Sequence, residues 1–245
     1  MTAADAGARR AEIADGLHRA HERLDAAARA AGRDPAEITL LPVTKFFPVS
    51  DVEILYGLGC RAFGESREQE ATAKVAEFRS RTTDPAVAWH MIGRVQRNKA
   101  RAVARWAHTV HSVDSARLAR ALDAGARAAQ DAGDRDTPLA VLLQVSLDDD
   151  PQRGGVSSAD LHALADEIAG TAGLALRGLM AVPPLGWDPD AAFERLAGLH
   201  AALRSDHPEA TELSAGMSGD LEAAVRWGST CVRVGTAVLG SRPLA

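Results

Sequence analysis

Residues 38–48 read Ile38-Thr39-Leu40-Leu41-Pro42-Val43-Thr44-Lys45-Phe46-Phe47-Pro48. Residues 38–44 form a short apolar run rich in β-formers, and the run closes on a lysine. An open dinucleotide-binding sheet would instead place a Gly-x-Gly-x-x-Gly turn after its first strand. Upstream, roughly the first thirty residues have helical spacing, with Ile13, Leu17, His18, His21 and Leu24 near one stripe. That segment stops at Gly32-Arg33-Asp34-Pro35. Downstream, helical stretches at 49–58, 68–79, 98–106, 115–130, 159–169, 189–203 and 220–227 alternate with strands at 61–63, 87–92, 109–112, 139–145, 176–180, 212–213 and 231–234. With 38–44 this makes eight strands, each separated from the next by a helix, the pattern of parallel crossovers. The expected fold is α/β: a single (β/α)8 TIM barrel with an extra N-terminal helix, one domain over residues 1–245.

The totals agree with one large domain. The chain has 245 residues, 46% hydrophobic and 25% charged, with a formal net charge of -5. That balance leaves no electrostatic footprint for nucleic acid or an anionic membrane. No apolar run reaches membrane-spanning or signal-peptide length. Cys60 and Cys231 stand alone in apolar surroundings, without thiols or histidines at metal-ligand spacing, and read as reduced core residues of a cytoplasmic protein. Asp148-Asp149-Asp150 has no second ligand cluster and reads as a solvated acidic loop.

Active sites of such barrels are built from loops at the C-terminal strand ends. Lys45 closes the first strand, so its ammonium would project into the barrel mouth. Apolar walls and nearby cations would lower its pKa and free the amine to attack an aldehyde. Residues 212–220, Glu212-Leu213-Ser214-Ala215-Gly216-Met217-Ser218-Gly219-Asp220, pass through small residues into a helix and expose backbone amides to an anion. Ser218 also suits a plain N-cap. Cys231-Val232-Arg233-Val234-Gly235-Thr236 again joins a strand end, a glycine and a hydroxyl, and phosphate sites in these barrels commonly use the last two such loops. Arg233 lies within the last strand and must meet an acceptor: either a carboxylate such as Glu65, or a cofactor ring nitrogen that it keeps unprotonated. Polar residues also mark Phe63-Gly64-Glu65-Ser66 and Trp89-His90-Met91-Ile92-Gly93. His90 reads equally well as a satisfied core histidine, and Lys99, in Gln96-Arg97-Asn98-Lys99, as a solvated helix residue on the mouth side.

Together these segments resemble the pyridoxal-phosphate homeostasis protein family, the YggS/PROSC type. The matching stretches are residues 41–45, 63–70, 89–99, 111–115, 178–180, 213–218 and 232–236, in order along nearly the whole chain. The resemblance implies a barrel akin to the N-terminal domain of alanine racemase, with pyridoxal 5′-phosphate (PLP) held as a Schiff base on Lys45. It implies that Ser218, Gly235 and Thr236 hold the phosphate, that Arg233 approaches the pyridine nitrogen, and that His90 and Met217 line the ring pocket. Ser66 stands near the ring edge where the family usually has Asn. Ser146 and Arg153-Gly154 replace an Asn and a Lys-Gly pair, and Ala215 replaces a Met. Lysine, arginine and phosphate loops all remain, so cofactor binding is expected.

The implied role is a non-catalytic PLP carrier in vitamin B6 homeostasis, with PLP-dependent apoenzymes as recipients and a monomeric state. The rival is a PLP-dependent amino-acid racemase, which needs acids or bases on both faces of the bound substrate. The single tyrosine, Tyr56, is placed on an outer helix far from the mouth. A third reading, a Schiff-base aldolase using Lys45 on a phosphorylated sugar, requires the same phosphate loop but no cofactor.

Overall fold

The computed structural model describes residues 3–82, 84, 86–150 and 154–241; Arg153, noted above, lies outside them. Among the described residues the strands are β1 (Thr39–Pro42), β2 (Ala62–Glu65), β3 (Ala88–Met91), β4 (Thr109–Val113), β5 (Leu139–Gln144), β6 (Leu174–Met180), β7 (Glu212–Ser214) and β8 (Cys231–Val234). All neighbours are parallel, in the order β1-β8-β7-β6-β5-β4-β3-β2. A bridge between Val43 and Gly64 joins the two ends, and the Thr44 N–H donates to the Gly64 carbonyl at 2.9 Å. The result is the expected (β/α)8 barrel. Its strands are short apolar runs because they are covered on both faces, by barrel interior and by helices.

Helices α1 (Ala3–Ala30), α2 (Val49–Gly57), α3 (Glu68–Arg81), α4 (Ala100–Trp106), α5 (Ala116–Asp131), α6 (Leu161–Ala169), α7 (Pro189–Asp206) and α8 (Leu221–Arg226) surround the barrel, followed by one turn, α9 (Thr236–Leu239). The chain has few aromatic residues, and the three that head its largest fully buried side chains, Trp89, Phe63 and Phe78, pack in one wall. The Trp89 ring lies 5.3 Å from that of Phe63 and 5.6 Å from that of Phe78, joining β2, β3 and α3. This cluster holds α3 against the barrel, which matters because α3 reaches the site.

In α1 the buried stripe is Ile13, Leu17, Ala20, Leu24, Ala27 and Ala28. His18 and His21, assigned to that stripe from spacing, are exposed. Alanine fits either face, so the true stripe was hidden behind two polar rings on its flank. A Gly32 φ of 67° ends α1, and Asp34 caps the next turn by accepting from the Ala36 N–H at 2.9 Å. The helix lies against the C-terminal turns of the chain. Arg9 donates to Asp51 Oδ2 at 2.6 Å and to the Leu239 carbonyl at 3.0 Å, while Arg33 donates to the carbonyls of Val225 and Ser229 at 2.9 and 2.7 Å.

At Gly16 the helix comes so near α9 that an added Cβ would stand 2.5 Å from the Val238 carbonyl oxygen. Helix propensity alone favours Gly16→Ala by about 1 kcal/mol, but here the obstacle is backbone and cannot rotate away. Gly16→Ala is therefore expected to destabilise by about 1–3 kcal/mol. Thermal unfolding measures it, and a rise in Tm would contradict the close packing of α1 on α9.

Candidate functional site

Lys45 follows β1 on backbone pinned from both sides. The buried Lys74 ammonium, from α3, donates to the Thr44 carbonyl at 2.9 Å and to Glu65 Oε1 at 2.7 Å. The Thr44 hydroxyl donates to the same Glu65 oxygen at 2.6 Å. On the other side, the Phe46 N–H donates to Glu70 Oε1 at 2.6 Å, which also lies 3.4 Å from Lys74 Nζ. Phe46 has a φ of 69°, in the left-handed region that a bulky residue rarely occupies. The hydrogen bond to Glu70 holds that turn and fixes the direction in which the chain leaves Lys45. Burial pushes the Glu65 carboxyl above its usual range, outweighing Lys74 and Thr44, and its Oε2 has no partner among the described residues.

Lys45 lines a cavity of about 320 Å³, whose wall includes Val43, Phe46, Met217, Ser218, Arg233 and Thr236. Gly219 and Gly235 complete one side, and a Cβ at Gly219 would meet nothing within 4 Å. The Ser218 hydroxyl and the start of α9 at Thr236 converge here, and the first amides of a helical turn lack partners within it. Ser218 does not cap α8; Asp220 precedes that helix and accepts from the Met217 N–H at 2.6 Å. Arg23 of α1 holds the loop from outside, donating to the Ser218 carbonyl at 2.6 Å and pairing with Glu222.

Arg233 is buried, yet its partners are not carboxylates. It donates to Ser214 Oγ at 2.7 Å and to the Ala181 carbonyl at 3.0 Å. The reading of Glu65 as its ion-pair partner is corrected: Glu65 belongs to Lys74, behind β1 and β2. His90 meets His111, Nδ1 to Nε2, at 2.9 Å, and His111 Nδ1 lies 2.9 Å from Ser214 Oγ. Burial, and secondarily His108, pushes His90 down to about 4. Burial, then His90 and Arg233, pushes His111 well below its ordinary value.

The structure thus brings Lys45, Met217, Ser218, Arg233, Gly235 and Thr236 to one cavity. His90 connects to it through the histidine and serine chain. Ser66 lines a neighbouring cleft with Arg67, Glu70, Arg94 and Lys99. Lys99 pairs with Glu68 at 3.3 Å. Spacing did not single out Lys74, Glu70, Arg23 or Ser214 as contributors. The acidic loop is engaged locally: Asp148 accepts from Ser146 Oγ at 3.1 Å and Asp149 from the Ser158 N–H at 3.0 Å. Among the described residues no group of three or more His, Cys, Asp or Glu side chains is placed to hold a metal. Cys60 and Cys231 are free thiols, both pushed up to about 11 by burial.

A lysine and a buried arginine facing one cavity, with hydroxyls and glycines of the last two strand ends, define a (β/α)8 barrel of the alanine racemase N-terminal class. The family model for "Alanine racemase, N-terminal domain" matches residues 18–243. The pyridoxal phosphate homeostasis protein of Mycobacterium tuberculosis is 54% identical over 245 residues, 96% of this chain and 95% of the relative. This chain belongs to the pyridoxal phosphate homeostasis protein family. Among solved structures, PipY of Synechococcus elongatus with PLP bound is 36% identical with a TM-score of 0.77, covering 93% of this chain and 100% of that one. Alanine racemase from Corynebacterium glutamicum shares the fold, with a TM-score of 0.66 at 17% identity, over 96% of this chain and 62% of that one.

Two outcomes follow from the buried groups. Lys74→Met strands the Glu65 carboxyl and the Thr44 carbonyl, and is expected to destabilise by about 3–5 kcal/mol in denaturant unfolding. Glu65→Gln keeps hydrogen-bonding atoms and should cost clearly less; equal losses would rule out the clamp. His90 has a folded-state pKa depressed from 6.5 to about 4, and that of His111 is depressed as well. The unfolded chain then binds more protons below pH 6.5, so stability holds above that pH and declines as pH falls toward about 4. A His90→Gln, His111→Gln double variant should flatten that decline, as followed by urea midpoints across the range.

Proposed function

We propose that this chain holds pyridoxal 5′-phosphate as a Schiff base on Lys45 and serves PLP homeostasis as a carrier without efficient catalysis. The observation that carries the reading is one cavity shared by Lys45, Arg233, Ser218 and Thr236. The donor set suits a phosphorylated ring aldehyde: an amine on a clamped backbone, a permanent cation, two hydroxyls and glycine-lined space. Ser218, Gly235 and Thr236 hold the phosphate, Arg233 stands at the ring nitrogen, and His90, Met217 and Ser66 border the ring. When bound, PLP supplies an electrophilic carbonyl and an electron-withdrawing ring. A cation at the ring nitrogen keeps that nitrogen unprotonated and weakens the electron sink. The relatives' shared name and the PLP-bound PipY support this reading.

The racemase alternative needs a second acid or base opposite Lys45. The only tyrosine is engaged elsewhere: Tyr56 donates to Asp84 Oδ2 at 3.0 Å, with the Arg61 guanidinium 4.2 Å from its ring, near the N-terminal end of β2. The carrier reading treats residues 1–245 as one barrel domain acting as a cytoplasmic monomer, with PLP-dependent apoenzymes as recipients. Among the described residues no helix is long and apolar enough to cross a membrane.

Purified wild-type protein mixed with PLP is expected to develop a visible absorption band that Lys45→Ala lacks, and borohydride should fix PLP covalently to wild type alone. Absence of colour in both proteins would remove the PLP reading. Sustained D-alanine formation from L-alanine at ordinary enzyme rates, about 1–1,000 per second, would replace the carrier with the racemase.

A further inference from the structure

Four side chains cross the barrel interior in one hydrogen-bonded line: Arg233 on β8, Ser214 on β7, His111 on β4 and His90 on β3. The contacts are 2.7, 2.9 and 2.9 Å in that order. The first three are buried and His90 is partly exposed, so His90 is the end of the line that meets solvent.

The direction of this line follows from what each group can do. A guanidinium carries donors only, so Ser214 Oγ accepts from Arg233. The serine has one hydrogen to give; the Cys231 thiol also lies in hydrogen-bond contact with it, but sulfur is a weak acceptor, and His111 Nδ1 at 2.9 Å is the stronger one. If His111 donated instead, its N–H would point toward the Arg233 cation. The buried Ser214 hydroxyl would also be left with only the weakly accepting Cys231 sulfur for its hydrogen. Charge and hydrogen-bond accounting therefore agree: Ser214 donates to Nδ1 of His111. Burial keeps both rings neutral, so His111 carries its proton on Nε2 and donates to Nδ1 of His90. That leaves the proton of His90 on Nε2, at the exposed end.

We propose that Arg233, through the positioning residues Ser214 and His111, locks His90 as a hydrogen-bond donor at its exposed edge. One lone pair of His90 is occupied by His111 and the other nitrogen is protonated. His90 can therefore hold an acceptor oxygen of a ring ligand but has no site with which to take a proton from it. This rests on the PLP reading for the ligand's identity, and deepens it: the histidine nearest the ring is barred from acting as a base. The cation that faces the ring nitrogen is also the source of the lock. Holding the ligand and failing to convert it have one structural cause.

The test begins without ligand. Histidine-15N-labelled protein at neutral pH is expected to show, in long-range ring correlations, His90 and His111 both neutral with the proton on Nε2. A proton on Nδ1 in either ring, or exchange between tautomers, overturns the lock. His111→Gln keeps an N–H donor facing His90 and should preserve its tautomer, whereas His111→Leu should give a mixture. A histidine that merely fills space would leave His90 alike in both variants, and that result also overturns the proposal. With PLP added, His111→Leu is expected to bind about tenfold more weakly than wild type, the loss of roughly one hydrogen bond. His111→Gln should restore most of that affinity. A locked His90 in a protein that takes up no PLP would discard the carrier reading and leave the lock standing.

Discussion

Removing one partner of a buried ion pair costs several kcal/mol, because the remaining charge stays out of water. Lys74 avoids that cost by meeting two oxygens at the ends of β1 and β2, the Thr44 carbonyl and Glu65, and at longer range Glu70 one turn back on its own helix. Each of those contacts also immobilises backbone next to Lys45. Because Glu70 also accepts from the Phe46 N–H, the left-handed turn after Lys45 is set by the same charges that seal the barrel seam. The lysine proposed to react is thus placed by a lysine that does not.

The opposite wall is organised differently. Among the described residues, the loops after β7 and β8 hydrogen-bond no carboxylate to Arg233; they rely on small residues, backbone donors and an outside brace. Arg23 reaches from α1 to the Ser218 carbonyl, and Gly16 lets the same helix settle on α9. The N-terminal helix therefore braces the wall of the candidate site although none of its residues lines the cavity. Inside the barrel, Arg233 spends its donors on neutral acceptors, Ser214 Oγ and the Ala181 carbonyl, and meets a carboxylate, Asp220, through charge alone without a hydrogen bond to it.

Much of this was legible in the chain itself. β8 has the bounds expected from its apolar run, and Lys45, Ser218, Arg233 and Thr236 stood out because polar residues at strand ends need a reason. What stayed hidden has physical causes. Lys74 sits in an exposed-looking stretch, Glu68-Gln69-Glu70-Ala71-Thr72-Ala73-Lys74, where helical spacing cannot distinguish a buried ammonium from a solvated one. Glu65 was offered to Arg233 because both need a partner, but a single β-strand reading does not reveal that their side chains lie on opposite sides of the barrel wall. The four residues of α9 are too few to show a period. The abundance of alanine allowed His18 and His21 to be assigned to a buried face that Ala20, Ala27 and Ala28 occupy.

The pairing of β1 with β8 has a consequence for how the chain matures. Lys45 leaves the ribosome early, and its clamp from α3 follows within a few turns of sequence. Arg233 and the turn at Thr236 emerge almost two hundred residues later, by the numbering of the chain. Long-range closures of this kind are the slow steps of folding. Until β8 docks, the nascent chain presents an amine without its anion cradle, and it cannot retain a phosphorylated aldehyde through both ends. On the proposed reading, retention of such a ligand is then a property of the finished barrel, in which both ends of the site are present.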